Sequence, residues 1–345
     1  MTLEQTLQAL AVGGQTHADI AAVIGKLAQA AISVKGIIND GALGTAFGGA
    51  RGTHNSGGDL QYELDVRADE LFMSAMHKAP VALYATEELE RPVRLKRDAK
   101  LAVAIDPLDG SSNIDTNVSI GTIFSILPVA GDPDVDPVAT FVQPGSMQLA
   151  AGFFIYGPQL ALVLSWGAGT DIFIYSTRQN AFVRAHRERQ IARKAQEFAI
   201  NASNYRHWDE PIRLYVDDCL QGADGPREKD YNMRWIASLV ADCYRIIMRG
   251  GVFLYPGDKR GGYGNGRLRL VYEANPIAML VEQAGGRASN GTCRILDLLP
   301  TALHARTPFI FGSIDEVTRI ERYHNDPSDI GERAPLFGTR GLFRV

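Results

Sequence analysis

Hydrophobic residues recur at helical spacing in two segments of the first quarter of the chain. In residues 17–38 the apolar positions return every three or four residues, as in a helix with one buried face. Residues 64–78 repeat this pattern, with acids early and with His77 and Lys78 at the end, where the helix dipole favours each charge. The pattern therefore predicts a helix over each segment.

Short apolar runs of β type follow these helices. They are bounded by turn residues, and a polar, proline-broken loop lies among them. These runs predict strands at 81–85, 101–105, 121–129, 160–166 and 171–176. Residues 177–200 are rich in Arg, Gln and Ala instead, and we interpret them as a connection between two domains, 1–190 and 191–345.

The second half of the chain alternates between the helical and the β pattern. Helices are predicted at 235–251, 275–286 and 314–323, and strands at 252–256, 267–272 and 309–313. Alternation of this kind predicts a layered α/β architecture.

Composition and charge exclude several classes of function. Of 345 residues, 46% are hydrophobic, enough for a sizeable core, and the formal net charge is −4. Because no basic block stands out, neither nucleic acid nor an anionic membrane is an expected partner. No uninterrupted apolar run approaches the roughly 20 residues that span a bilayer, and the N-terminus lacks the basic start of a secretory signal. The scattered Cys219, Cys243 and Cys293 argue against a disulfide framework and for a reducing cytoplasm.

The candidate chemistry concentrates in residues 104–115, which read AIDPLDGSSNID. Asp106 ends a predicted buried strand, where open α/β sheets place their ligands, and Asp109 follows across a turn fixed by Pro107. Residues 110–112 offer backbone N–H groups and hydroxyls that suit a phosphate. Two carboxylates 4 Å apart repel by roughly 4 kcal/mol at an effective dielectric of about 20, and a divalent cation removes that conflict. Oxygen ligands indicate Mg²⁺, with Mn²⁺ as a possible substitute.

A solvated Asp-Pro/Asp-Gly turn is the alternative interpretation of this motif. Other acids at the ends of predicted elements weaken it: Glu87 and Glu88 follow one strand, Glu273 follows another, and Asp65 opens a helix. Each of these acids alone is more typical of a surface residue than of a ligand. Together they favour a shared metal site.

Five segments taken together resemble class I fructose-1,6-bisphosphatase. They read DPLDGSSNID, GTIFSI, YNMRWIASLVAD, GGVFLYP and LRLVYEANPIAMLVEQAGG, and the similarity extends from about residue 16 to about residue 323. DPLDG alone marks the wider superfamily of metal-dependent, lithium-sensitive sugar and inositol phosphatases. The resemblance implies a five-layered α/β/α/β/α sandwich, assembled as a homotetramer, that acts on a small-molecule sugar bisphosphate.

The resemblance also implies roles for individual residues. The metal ligands would be Glu87, Glu88, Asp106, Asp109, Glu273 and the backbone carbonyl of Leu108. Water would be activated by Asp65 together with Glu88. The region of the 1-phosphate would be met by Asp109, Gly110, Ser111 and Ser112. The region of the 6-phosphate would be lined by Asn201, Arg234, Trp235, Tyr255 and Arg267.

Arg234 is expected to reach the site from a neighbouring subunit. The sequence places it at or just before the start of the predicted helix 235–251, where unpaired N–H groups already favour an anion. The apolar stripe of that helix is expected to contain Ile236, Leu239, Val240 and Cys243. A guanidinium there could hold a phosphate through two parallel hydrogen bonds, and the alternative is a surface arginine in an ion pair.

Several positions depart from the family pattern. Trp235 replaces the usual tyrosine and Arg267 the usual lysine, and both changes could widen the sugar specificity. Lys100 and Leu101 stand where the AMP site of the family has a Lys-Tyr pair, so classical AMP inhibition is not expected. The loop 130–145 contains no cysteine, so the thiol switch of plastid enzymes has no evident counterpart.

Three functional hypotheses follow. The first is a cytoplasmic, Mg²⁺-dependent fructose-1,6-bisphosphate 1-phosphatase of gluconeogenesis or the Calvin cycle. The second is a bifunctional fructose-1,6/sedoheptulose-1,7-bisphosphatase, motivated by Trp235 and Arg267. The third is a catalytically silent sugar-phosphate sensor, which the full set of expected metal ligands disfavours.

Overall fold

The structure, a computed structural model, describes residues 1–41, 50–54 and 60–326. The helices are α1 Leu3–Ala11, α2 Gln15–Asp40, α3 Glu63–His77, α4 Glu210–Leu220, α5 Leu239–Arg249, α6 Asn275–Gln283 and α7 Ile314–Asn325. The strands of the first half are β1 Ala50–His54, β2 Leu60–Tyr62, β3 Val81–Thr86, β4 Val93–Arg94, β5 Leu101–Asp109, β6 Ile120–Pro128, β7 Ala150–Tyr156, β8 Leu160–Ser165, β9 Asp171–Ser176 and β10 Ala181–His186. Those of the second half are β11 Glu197–Ala199, β12 Asn232–Met233, β13 Val252–Tyr255, β14 Leu268–Arg269, β15 Arg287–Ser289, β16 Arg306–Thr307 and β17 Phe309–Gly312.

An eight-stranded sheet dominates the first half, in the order β10-β9-β8-β7-β6-β5-β3-β4. Its neighbouring strands are antiparallel except β3 and β5, which run parallel. The two faces of the sheet alternate along each strand, because successive side chains point to opposite sides. Phe124 and Phe154 belong to the core beneath α1, α2 and α3, whereas their neighbours Ile123 and Phe153 belong to the core beneath α5 and α6.

A five-stranded sheet, in the order β12-β11-β13-β17-β15, forms the second half. One of its faces shares the core of α5 and α6 through Phe253 and Phe311. The other face packs Phe198, Leu254 and Ile310 against α4 and α7. The layers therefore run α1–α3, eight-stranded sheet, α5 and α6, five-stranded sheet, α4 and α7. This arrangement confirms the predicted five-layered α/β/α/β/α sandwich.

Most of the predicted elements are present with shifted ends. The helices expected at 17–38 and 64–78 are α2 and α3, and the five early strands are β3, β5, β6, β8 and β9. No prediction covers α1, α4 or β7. Residues 177–200, interpreted as a connection, contain β10 and β11. The stretch between the two sheets is therefore shorter than the segment expected from composition, since it runs only from residue 187 to residue 196. The strand β10 was missed because it is an edge strand in which several positions are partly exposed and polar, which dilutes its apolar pattern.

Two boundaries in the second half differ more. The helix predicted from residue 235 begins at Leu239, because Ala237 adopts a left-handed conformation with φ of +63° and interrupts it. The strand predicted at 267–272 is short, since the chain turns into one π-helical turn at Leu270–Ala274 directly after β14. Residues 327–345 of the predicted C-terminal domain lie outside the described residues.

Among the described helices, α2 alone is long and apolar enough to cross a membrane by length and composition. Its Val23, Leu27 and Val34 are fully buried in the core of the first layer. Because core helices pass the same test, this is weak evidence for a membrane span, and we interpret α2 as a core helix.

Candidate metal and phosphate site

A cavity of about 440 Å³ opens where the two sheets and α5 meet. Among the described residues that line it, six carry carboxylates and three carry guanidinium groups. It contains every predicted site residue except Arg234: Asp65, Glu87, Glu88, Asp106, Leu108, Asp109, Gly110, Ser111, Ser112, Asn201, Trp235, Tyr255, Arg267 and Glu273. The structure therefore brings the predicted acids and the predicted phosphate-binding groups into one space.

Asp106 and Asp109 converge through an irregularity inside a strand. The expected tight turn after residue 105 is absent from this segment: β5 continues to Asp109, and its register against β6 shifts between the two aspartates. The carbonyl of Pro107 accepts a hydrogen bond from Thr122 Oγ1 at 2.8 Å, and Leu108 N donates to Asp106 Oδ1 at 3.0 Å. The bulged backbone is thus pinned from both sides, and the two carboxylates are presented from a buried strand.

The N-terminal turn of α5 contacts Asp109 directly. Val240 N donates to Asp109 Oδ2 at 3.0 Å, and Ser238 Oγ donates to the same oxygen at 3.1 Å. This approach requires Gly121, which pairs with Asp109 across the sheet, because a Cβ at Gly121 would lie 2.4 Å from a Val240 methyl carbon. The glycine therefore lets the helix dock where its N–H groups meet a metal-ligand candidate.

Glu273 reaches the cavity from the π-helical turn, not from the end of a strand as the sequence suggested. The turn folds the side chain back, so that Arg269 N donates to the Glu273 carboxylate. The guanidinium of Arg269 pairs with Glu87 at 2.6 Å between Nη1 and Oε1. Arg269 therefore links two predicted ligands while it is itself buried.

Three of the acids form a compact, buried cluster. One oxygen each from Asp106, Asp109 and Glu273 lies within 4.8 Å of the others, and each residue is less than 10% exposed. Buried carboxylates at this spacing repel each other unless a cation neutralises them. Because the donors are all hard oxygens, these residues fit a divalent cation of the Mg²⁺ or Mn²⁺ type.

Burial and mutual repulsion disfavour the charged forms of these carboxyl groups. Burial, followed by the charges of Glu87 and Asp109, raises the pKa of Asp106 well above its ordinary value. Burial also raises the pKa of Glu273 well above its ordinary value, with Glu87 adding to the shift. Burial raises the pKa of Asp109 to about 6, although the hydrogen bonds from α5 work in the opposite direction. Such perturbed carboxyl groups in one cavity are typical of a functional site.

A phosphate cradle adjoins the carboxylates. Gly110 has φ of +78°, a left-handed conformation that glycine adopts readily, and a single 3₁₀ turn follows at Ser111–Asn113. Gly110, Ser111 and Ser112 line the cavity beside Asp109. Asn113 Nδ2 donates to the carbonyl of Ala237 at 3.0 Å and so ties this turn to the loop before α5.

Asp65 and Glu88 line the same cavity. Asp65 lies in the first turn of α3 and is buried, as its predicted place at a helix start requires. Glu87 and Glu88 directly follow β3, which confirms their predicted place at a strand end. Because α3 packs on β3 and β5, the two carboxylates come from neighbouring elements of the fold.

The far end of the cavity is aromatic and basic. Trp235 stacks on Phe253 with ring centroids 5.6 Å apart at 15°, and Tyr255 lies beside them. Asn201 and Arg267 complete this end, and Arg267 is exposed. The arrangement provides a flat apolar wall with polar groups around it.

Arg234 lies outside this cavity in the single chain. It follows the edge strand β12, its backbone N–H donates to the carbonyl of Phe198, and its side chain is exposed. Because α5 begins only at Leu239, the helix N–H groups expected beside Arg234 lie elsewhere, and Ile236 is not part of the helical stripe. The position of Arg234 leaves its predicted role in a neighbouring subunit as a prediction.

Sequence reasoning missed several residues of the cavity. They are Ala237, Ser238, Leu239, Phe253, Leu268, Arg269 and Arg306. Arg269 could have been found, since it stands four residues before Glu273 inside the strand predicted at 267–272. Ser238 and Leu239 carry no signal of their own, because they reach the site only through the docking of α5.

Family models of fructose-1,6-bisphosphatase match both halves of the chain. The N-terminal domain model matches residues 2–187 and the C-terminal domain model matches residues 191–325. The chain is 64% identical to fructose-1,6-bisphosphatase class 1 of Rhizobium meliloti (strain 1021), over 100% of this chain and 99% of that protein. It is 53% identical to fructose-1,6-bisphosphatase class 1 of Rhodopseudomonas palustris (strain BisB18), over 94% and 93%.

A solved structure of a fructose-1,6-bisphosphatase has the same fold as this chain. The holo form of Leishmania major fructose-1,6-bisphosphatase superposes with a TM-score of 0.86 at 30% identity, and the match covers 94% of this chain and 99% of the other. With both domain models matched and sequence identity sustained over the full length, the chain belongs to the class 1 fructose-1,6-bisphosphatase family.

Proposed function

We propose that this chain hydrolyses the 1-phosphate of fructose 1,6-bisphosphate, giving fructose 6-phosphate and phosphate, and that the reaction depends on Mg²⁺. The observation that carries the proposal is the buried cluster of Asp106, Asp109 and Glu273 beside the phosphate cradle that starts at Gly110. The names of the relatives support the same reaction.

The cation would be held by Glu87, Glu88, Asp106, Asp109, Glu273 and the Leu108 carbonyl. When bound, Mg²⁺ supplies polarisation of the phosphoryl group, a lowered pKa of bound water and stabilisation of the leaving oxygen. The bulge in β5 would hold Asp106 and Asp109 in place for the cation, and Arg269 balances the charge of Glu87.

Asp65 and Glu88 would orient and deprotonate the attacking water. Their carboxylates line the cavity from α3 and from the turn after β3. A carboxylate positioned within hydrogen-bond reach of water can act as a general base. The N–H groups and hydroxyls of residues 110–112 would orient the 1-phosphate.

The 6-phosphate would be held at the far end by Asn201, Tyr255, Arg267 and Trp235, together with Arg234 of a neighbouring subunit in a homotetramer. This end lies apart from the carboxylate cluster and bears a cation and an indole N–H that can donate. Its contacts therefore contribute to substrate binding more than to the chemical step.

A second candidate activity is bifunctional hydrolysis of sedoheptulose 1,7-bisphosphate as well. Trp235 and Arg267 favour it, since they change the wall and the reach of the distal phosphate end. A non-catalytic sensor is disfavoured because every expected metal ligand lines the cavity.

The test is phosphate release by the purified protein with each bisphosphate, with Mg²⁺ and with EDTA. We expect rapid, Mg²⁺-dependent release from fructose 1,6-bisphosphate and no release from fructose 6-phosphate. The ratio of kcat/KM for the two bisphosphates separates the single from the bifunctional enzyme. If the protein bound the bisphosphate but released no phosphate, the sensor hypothesis would be favoured.

We place the protein in the cytoplasm, in gluconeogenesis or the Calvin cycle, with the domains divided at residues 190 and 191. The sequence supports these assignments through its cysteine usage and the family resemblance. We also expect weak or absent AMP inhibition, because Leu101 is a buried core residue that offers no hydroxyl.

A further inference from the structure

Arg267 carries an exposed charge at the rim of the cavity. Its guanidinium carbon lies over the ring of Tyr263, 4.9 Å from the ring centroid. Within the described parts of the chain, its guanidinium has no hydrogen bond or ion pair. An arginine in such a position is held mainly by the aromatic ring beneath it.

Tyr263 belongs to a tightly folded loop. Tyr263 N donates to the carbonyl of Arg260 at 3.1 Å, and the Tyr263 carbonyl accepts from Asp258 N at 3.1 Å and from Gly266 N at 3.0 Å. The loop closes on itself so closely that a Cβ at Gly257 would lie 2.4 Å from the carbonyl oxygen of Gly264. The backbone that carries the Tyr263 ring is therefore held in a closed loop, and the ring has an arginine stacked on it at two places.

A second arginine on the same ring shows the contrast. The guanidinium carbon of Arg260 lies 4.6 Å from the Tyr263 centroid, but Arg260 also pairs with Asp258 through Nε at 3.0 Å. The charge of Arg260 is thus balanced within the loop. The charge of Arg267 is left for a ligand in the cavity that it lines.

We propose that Tyr263 is a positioning residue that holds the guanidinium of Arg267 ready for the distal phosphate of the substrate. The inference rests on the proposed function, because it needs a substrate with a phosphate at that end. An exposed arginine loses rotamer freedom when it binds a phosphate, and a ring that restricts it beforehand reduces that loss. A planar guanidinium can lie flat on a ring and still direct N–H groups toward a phosphate, so Tyr263 suits arginine at position 267.

The test is a set of variants with steady-state kinetics on fructose 1,6-bisphosphate and Mg²⁺. Tyr263→Leu should raise KM about two- to fivefold at unchanged kcat, and the inhibition constant of fructose 6-phosphate should rise by the same factor. Tyr263→Phe keeps the ring and should behave as the unaltered enzyme. In an Arg267→Ala background, Tyr263→Leu should cause no further rise, because the group that it positions is gone.

Tyr175→Leu is the matched control, since this tyrosine lies on β9, outside the cavity, and packs on Phe182. It should leave KM unchanged. Three results would overturn the proposal. Tyr263→Leu could raise KM equally with and without Arg267, it could lower kcat while it raises KM, or it could change neither value. If the unaltered enzyme released no phosphate from the bisphosphate, the proposed function would fail first. If Arg267→Ala raised KM and Tyr263→Leu did not, the positioning role of Tyr263 would be refuted, whereas the proposed function would stand.

Discussion

At one end of the cavity, carboxylates project from a buried strand, and at the other end, polar groups project from loops. Asp106 and Asp109 lie on β5 and are less than 10% exposed, whereas Arg267 follows a glycine-rich loop and is exposed. The acidic end must hold repelling charges at short distance before any ligand arrives, which requires a rigid element. The basic end has only to meet a phosphate with a cation, and loops or another subunit can provide that. The difference predicts that the two ends respond differently to substitution.

The largest effect is expected at the acidic end. Asp106→Asn removes a charged ligand from the cluster and should lower kcat by orders of magnitude in Mg²⁺, while circular dichroism shows an unchanged fold. Asp115→Asn is the matched control, because Asp115 belongs to the same segment but is exposed and does not line the cavity. Near-normal turnover of Asp106→Asn at ordinary Mg²⁺ would refute the role of Asp106.

The acidic end was also the part that the sequence predicted best. Glu87, Glu88 and Asp65 stand where the hydrophobic pattern ends a strand or starts a helix, so their positions follow from local periodicity. The sequence predicts that Asp106 and Asp109 face one point, which the structure shows, but it predicts a turn between them where the structure has a bulge. No local signal marks this bulge, because its contact with Thr122 comes from the neighbouring strand. The layers followed from the alternation of elements and from the resemblance.

The basic end could be predicted less well, for physical reasons. The sequence places Arg234 beside a helix N-terminus because the helical spacing of apolar residues starts at Trp235, and the left-handed Ala237 that delays the helix has no signature in the sequence. Tyr263 contacts Arg267 only through the folding of the loop between them. Contacts that arise from tertiary packing are not visible in periodicity or in charge pattern.

The next largest effect is expected at the basic end. Arg234→Ala should raise KM about tenfold or more and lower kcat less, because a hydrogen bond to a charged group is lost far from the reacting bond. Arg178→Ala, an exposed arginine on the turn between β9 and β10, is the control and should change neither value. A fall in kcat with unchanged KM would contradict a role in distal phosphate binding.

Hybrid oligomers test whether Arg234 serves a neighbouring subunit. Chains with Arg234→Ala are mixed with chains with Asp106→Asn, and mixed assemblies are isolated by two different tags. If the contact crosses subunits, some sites combine intact metal ligands from one chain with an intact arginine from the other, and activity is partly restored. Verified hybrids without recovery would assign Arg234 to its own subunit or to a structural ion pair.

The acidic cluster should also affect stability in the absence of metal. The pKa of Asp109 is raised to about 6 in the folded chain, above its ordinary value, so the folded state binds more protons than the unfolded state between about pH 4 and pH 6. The contribution of this group to stability therefore falls as the pH rises through that window. In EDTA, Asp109→Asn should become more stable than the unaltered protein as the pH rises from 4 to 7, by about 1 to 3 kcal/mol in the free energy of unfolding.

With added Mg²⁺, the unaltered protein should be more stable than Asp109→Asn, because the cation stabilises the charged form of Asp109. Asp218→Asn is the control: Asp218 is buried outside the cavity and accepts a hydrogen bond from Tyr323 at 2.7 Å, so its replacement should not stabilise the protein at any pH. Denaturant titrations at each pH measure these differences. An Asp109→Asn protein that is less stable in EDTA at pH 7 would show that the cluster is not strained by its charge.

The smallest effect is expected at the junction of the two ends. Ala237 lies between Trp235 and Ser238, and its φ of +63° costs an alanine about 1 kcal/mol that a glycine avoids. Its carbonyl accepts from Asn113 Nδ2, and Ile236 N donates to Asp242 Oδ2 at 3.3 Å, so the surroundings hold the strained backbone in place. Ala237→Gly should therefore raise the melting temperature by about 2 °C, whereas Ala22→Gly, at an exposed position of α2, should lower it by a similar amount. A rise in melting temperature for Ala237→Gly and a fall for Ala22→Gly would locate backbone strain at Ala237, between the acidic and the basic end of the cavity. A lower melting temperature in both variants would mean that strain at Ala237 does not explain why α5 starts at Leu239.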